Sequence, residues 1–147
     1  MQTTKSFFTK KQQGDIKQAI LNAELDTSGI IRVHIDNVCE GDVTKRAEDL
    51  FLRFKLNKTE MHNSVLFYMA LQNRKFAIVG GTAINKYVPK NFRKSINDRM
   101  LGYLKDDKVT EGLCEGIKLT GEILKKHFPH RTDDIDELTD ELSFGKL

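Results

Sequence analysis

The stretch from Asn63 to Gly81, NSVLFYMALQNRKFAIVGG, constrains the fold more than any other part of the chain. Val65 to Leu71 is an unbroken apolar run with aromatic and β-branched members, and Phe76 to Val79 is a second run stopped by Gly80-Gly81. Apolar runs this short, bounded by turn residues, read as strands buried on both faces rather than as helices. Only Gln72-Asn73-Arg74-Lys75 separates them, which predicts a tight antiparallel hairpin with the rest of the chain laid around it.

Upstream, Ile16, Ala19, Ile20 and Ala23 fall on one helical face, and Asp26-Thr27-Ser28-Gly29 ends that helix with turn chemistry. Ile31, Val33 and Ile35 then alternate with Arg32 and His34, a strand from Ile30 to Ile35. A second helix presents Val43, Ala47, Leu50, Phe51 and Phe54, with Asp42 as its N-cap. A strand joined through a helix to the hairpin predicts parallel pairing between the two. Downstream, Thr82–Tyr87 fits a single helical turn closed by Val88-Pro89. A helix from about Asn91 carries Phe92, Ile96, Met100, Leu101 and Leu104 and is broken at Lys105-Asp106-Asp107. Another runs from about Thr110 to His127, with Glu111 in its first turn and Lys125-Lys126-His127 in its last, as the helix dipole prefers. Asp134 to Leu142 fits a short acidic helix with Ile135, Leu138 and Leu142 on one side. The order of elements predicts an α/β layered domain with a small mixed sheet.

A chain of 147 residues, 39% hydrophobic and 31% charged, has the size and surface of one ordinary globular domain. Its first residues, MQTTKSFFTKKQQGD, contain no signal-peptide core, and no run approaches the roughly 18 apolar residues of a membrane span. The expectation is a cytoplasmic protein with no membrane contact. Cys39 and Cys114 are far apart and read as free thiols, with a single disulfide as the alternative. Charge is uneven. From Arg131 onward two basic residues stand against six acidic ones, −4, which leaves +7 of the overall +3 on residues 1–130. The division predicted is a domain over 1–130 and an acidic C-terminal tail over 131–147, with the basic body or the tail engaging a protein partner or each other.

No catalytic signature stands out. Cys39 follows a strand and precedes a helix, but six residues separate it from Arg46, and Glu40 and Asp42 place negative charge where a cysteine phosphatase cradles phosphate, so it reads as a loop cysteine. His127 and His130 flank Pro129 at a helix end, which spoils a shared metal-binding face; no metal site and no particular cofactor are indicated. Gly80-Gly81-Thr82 fits either a weak backbone anion site or a plain strand-to-helix turn needing positive φ. Arg74, at the hairpin tip, fits a phosphate contact or a turn cap. Basic residues are scattered over every element without a zinc spacing or an aromatic RNP pattern, so specific nucleic-acid binding is not expected.

Asn63 before the apolar strand, Arg74 in the hairpin and Gly81 after the second strand resemble the TPM domain, a family that includes the thylakoid acid phosphatase and photosystem II repair proteins of plants and cyanobacteria. The likeness runs from Phe8 to about Phe128, with Val88-Pro89 matching the family's Leu-Pro and Gly112-Leu113-Cys114-Glu115-Gly116 its later Gly-Leu-x-x-Gly. It implies a three-layer α/β/α sandwich with the antiparallel hairpin central to the sheet. It also implies a phosphatase-like site from Asp36, Asn73 and Arg74, with Asn63, Gly80, Gly81, Thr82 and Asn85 as ligand-binding candidates. Two acidic positions of the family's motifs are Asn here, at Asn73 and Asn85. Asparagine is no general base and a weaker ligand for hard cations than a carboxylate. The balance falls toward a non-catalytic or weakly catalytic interaction module, with phosphate-monoester hydrolysis as the alternative.

Overall fold

The computed structural model describes residues 7–129 and 142–145. Helix α1, Lys10–Glu24, opens on a capping box in which the Thr9 hydroxyl accepts from the Gln12 amide and the Gln12 side chain accepts from the Thr9 amide. Strand β1, Ile30–Asp36, leads to α2, Val43–Arg53, where the expected N-cap Asp42 accepts from the Thr44 amide. After a single 3₁₀ turn at Leu56–Lys58 come β2, Ser64–Ala70, and β3, Lys75–Gly80, the predicted hairpin. Helices α3, Thr82–Tyr87, α4, Phe92–Leu104, and α5, Val109–His127, follow, and β4, Leu142–Phe144, closes the described chain.

The four strands lie in the order β3-β2-β1-β4. β1 runs parallel to β2, from Ile30 opposite Ser64 to Asp36 opposite Ala70, as the connecting helix requires. β2 and β3 are antiparallel, so β2 is an inner strand buried at every position, while β3 is an edge and half-exposed. The Arg93 guanidinium donates to the Ile78 carbonyl, which blunts the open edge of β3. On one face of the sheet Ile31, Val33, Ile35, Phe67 and Met69 pack under α1, α4 and α5. On the other, Leu66, Tyr68 and Ala70 pack under α2 through Ala47, Leu50 and Phe51. The result is the α/β/α layering the sequence predicts.

Two local expectations change. Of the acidic helix expected over Asp134–Leu142, residues 134–141 lie outside the described residues, and Leu142 is strand. It pairs with Val33 in a parallel ladder that continues to Phe144 opposite Ile35. Nor do Gly80 and Gly81 take positive φ; Gly81 is extended. They are needed for close approach instead: a Cβ on Gly81 would lie 2.5 Å from the His62 carbonyl oxygen, and one on Gly80 would lie 2.7 Å from the Ile84 side chain.

Helix α5 crosses α1 at Gly121, where an added Cβ would stand 2.6 Å from the Ala23 Cβ and 2.8 Å from its Cα. Because the obstacle includes backbone, the helices must separate to admit it. Replacing an interior helix glycine by alanine ordinarily stabilises by about 1 kcal/mol. Here overpacking, typically ~1–3 kcal/mol, outweighs that gain. Gly121→Ala is therefore expected to lower the urea midpoint of unfolding; a raised midpoint would show that α1 and α5 are not in tight contact at this crossing.

Candidate functional site

Strand β1 connects through α2 to a neighbour on one side, while β4 pairs on its other side. In open α/β sheets, the crevice beyond the carboxyl ends of strands at such a reversal is where ligands bind. Asp36 is the last residue of β1 and sits at that point.

Its carboxylate is held on both oxygens. Oδ2 accepts from the Tyr68 hydroxyl at 2.6 Å and from Arg46 Nε at 3.0 Å, while Oδ1 lies 3.3 Å from His34 Nε2. Burial by itself pushes the Asp36 carboxyl up, but the hydrogen bonds from His34, Arg46 and Tyr68 and the charge of Arg46 outweigh it and hold the group well below the usual carboxylate range. Burial, then the hydrogen bond to Asp36, pushes the Tyr68 phenol above its ordinary value, so it stays a proton donor.

His34 is completely buried in the same layer, between Tyr68 and Phe54. Its Nε2 also lies 2.7 Å from the Gly145 carbonyl oxygen, which can only accept, so Nε2 carries a proton. Nδ1 meets the Ser143 hydroxyl at 2.7 Å, and that hydroxyl accepts from Arg32 Nη2 at 3.1 Å. The Arg32 guanidinium lies 3.5 Å over the Phe54 ring. A polar ladder of Arg32, His34 and Asp36 thus runs along this face of β1, tied to α2 at Arg46, and Arg32 and His34 clip the β4 segment to β1.

Above Asp36 opens a cleft of about 830 Å³, lined by the loop after β1, the start of α2 and Gly145. Four carboxylates line it, Asp36, Glu40, Asp42 and Asp49, against two cations, Lys45 and Arg46, a balance of −2. Asn73 reaches this end of the sheet, where its side-chain oxygen accepts from the Cys39 amide at 2.9 Å and fixes the loop. Arg74 does not join Asp36; in left-handed backbone conformation, it pairs with Asp107 at 2.7 Å beside a different cavity. Asn63, Gly80, Gly81, Thr82 and Asn85 lie at the opposite end, roughly 20 Å away at ~3.3 Å per strand residue. There Asn63 donates to Ser28 and Asn85 accepts from Arg93, local fastenings of the turn into α3. Among the described residues no group of three His, Cys, Asp or Glu is placed to hold a metal ion, and no helix is long and apolar enough to cross a membrane.

Sequence reasoning gives no role to His34, Tyr68 or Ser143, and weighs Arg46 only as a phosphate ligand beside Cys39, whereas it is the partner of Asp36. No local pattern marks His34: the apolar face of α2 is covered by Leu66, Tyr68 and Ala70 of β2 with Ala77 and Val79 of β3, and an alternation of Arg32 and His34 with apolar residues reads as a solvated strand face.

Residues 2–123 match the TPM domain family. The chain belongs to that family. Among solved structures it is similar to the NMR structure of BA42 protein from the psychrophilic bacterium Bizionia argentinensis, with 38% identity and a TM-score of 0.88 over 95% of this chain and 96% of that one. Two more distant likenesses concern the fold alone. One is the N-terminal domain of a P. gingivalis protein, at 18% identity and TM-score 0.67 over 84% of this chain and 82% of that one. The other is the N-terminal domain of cg2496 protein from Corynebacterium glutamicum, at 13% and 0.66 over 90% and 82%. No curated protein matches the chain.

The TPM scaffold here depends on the Asp36 contacts. Asp36→Asn is expected to destabilise by about 2–4 kcal/mol near neutral pH, because Arg46 loses its charge partner in a mostly buried setting. Since the folded carboxyl is depressed, its contribution is full above the unfolded value of about 3.9 and fades as pH falls toward the folded one. The stability gap between wild type and Asp36→Asn, measured by urea unfolding, should therefore be constant above pH ~5 and shrink in acid. A gap that widens in acid would contradict an ionised, hydrogen-bonded Asp36.

Proposed function

We propose that this TPM domain is a non-catalytic binding module whose cleft above Asp36 receives a basic segment of a partner protein. One observation carries the reading: both oxygens of the Asp36 carboxylate are occupied by side chains of the fold, so the group that faces the cleft is neither a free nucleophile nor a free base. The lining supports the choice of ligand. With four carboxylates against two cations, the cleft repels a phosphate monoester and attracts lysine and arginine. Glu40 and Asp49 make the first contacts, since Asp42 caps α2 and Asp36 is engaged below.

A second reading, hydrolysis of phosphate monoesters, has in its favour that Lys45 and Arg46 line the same cleft as an ionised Asp36. Against it stands Asn73, which fixes the loop at Cys39 and offers no carboxylate.

The test titrates an isotope-labelled full chain with a lysine- and arginine-rich decapeptide while amide shifts are followed, and assays a generic phosphomonoester across pH with and without divalent cations. Expected are salt-sensitive shifts around residues 37–49 and turnover at background throughout. Glu40→Gln and Asp49→Asn should each weaken peptide binding by about two- to fivefold, the scale of an exposed charge pair. Shifts that leave this loop untouched would sink the binding role, and turnover abolished by Arg46→Ala would establish the hydrolase instead.

A further inference from the structure

On the other face of the sheet, beside the hairpin tip, lies a second cavity of about 400 Å³. Its walls are apolar: Phe7, Met69, Leu71, Phe76, Leu104 and Val109. Of these only Met69 is fully buried, so the others present hydrocarbon to the cavity and to water. The volume, about 400 Å³, is more than twice that of an engineered packing void, on the order of 150 Å³. It falls within the ~300–1,000 Å³ of pockets that enclose small ligands. At the mouth stand Arg74, Lys75 and Asp107, a surplus of one positive charge. Arg74 and Asp107, both in the left-handed region, join the hairpin tip to the turn between α4 and α5 through an ion pair of 2.7 Å. Both side chains are largely exposed, where such a pair contributes little and can be exchanged.

We propose that this cavity binds a single-chain amphiphile with an anionic head, the chain seated among Met69, Leu71, Phe76, Leu104 and Val109 and the head on Arg74 and Lys75. Arg74 then trades the Asp107 carboxylate for the ligand's, a charge-assisted contact that keeps its geometry while the apolar walls leave water. The polar mouth orients the ligand and the apolar interior holds it, the usual division of labour in small-molecule sites. Asp107 acts as an internal competitor that occupies Arg74 when the cavity is empty.

Two variants separate this role from a purely structural ion pair, both to asparagine because Asn tolerates the left-handed backbone at each position. The probe is decanoate, kept below its micelle concentration and titrated into the full chain while the methyl groups of Met69, Leu71, Leu104 and Val109 are followed by NMR. Expected is saturable binding confined to those methyls, weakened about tenfold by Arg74→Asn, the scale of a charge-assisted hydrogen bond. Asp107→Asn should tighten it, and decanol should bind at least about tenfold more weakly than decanoate. Val109→Phe, which fills the cavity from the first residue of α5, should abolish binding while the chain remains folded. Decyl phosphate binding in place of decanoate would support the site and assign it a phosphate head. The proposal is overturned by shifts that fail to saturate or spread over the surface, by equal affinity for decanol, or by Asp107→Asn weakening binding as Arg74→Asn does.

Discussion

The buried Asp36 carboxylate is the interaction on which the α2 side of this TPM domain depends. Through three donors it joins β1 to itself at His34, to β2 at Tyr68 and to α2 at Arg46. Removing a carboxylate from water is costly, and its attraction to a guanidinium offsets that cost only when the remaining lone pairs are satisfied. Tyr68 and His34 satisfy them. The low pKa of Asp36 is the consequence, with hydrogen bonding and charge overcoming desolvation.

The two faces of the sheet solve the burial problem differently. Under α1, α4 and α5 the contacts are apolar, and close approach comes from glycines such as Gly121. Under α2 the helix covers β2 and the edge strand β3, through Leu66, Tyr68, Ala70, Ala77 and Val79, and its apolar stripe stops at Phe54. Beyond that stripe the layer continues as rings and guanidinium: Arg32 over Phe54, and His34 between Phe54 and Tyr68. Each face opens at the carboxyl end of the sheet into a cavity of its own character, one acidic and wide, the other apolar and narrower.

Much of this was legible in the residues because it is local. The hairpin runs, the Asp42 cap, the parallel pairing of β1 with β2 and the bounds of α4 and α5 follow from patterns a few residues long. What was hidden is long-range. β4 has three residues, and its partner Val33 lies over a hundred positions away, so no local pattern announces it. The alternation of Arg32 and His34 with apolar residues looks like a solvated strand face; a ladder sealed by Ser143 and Gly145 has the same appearance. Asn73, Arg74 and Asp36 follow one another at the same end of the sheet, yet the pleat and the hairpin turn send Arg74 to Asp107 and Asn73 to Cys39. The Gly80-Gly81 pair was legible as a turn, though its reason is proximity to His62 and Ile84 rather than left-handed backbone.

The Ser143 hydroxyl, seated between Arg32 and His34, carries one more consequence. A three-residue edge strand held by backbone bonds alone can slide, since every slipped pairing offers the same amides and carbonyls. Here a slide by one position would turn Leu142 or Phe144 toward a buried guanidinium and imidazole and leave both without their hydroxyl. It would also pull both of those side chains off the apolar face they help to cover, where Phe144 meets Phe8. The polar ladder therefore works as a gauge that admits the terminal strand at a single setting, and discrimination among alignments, more than strength, is what its buried charges contribute.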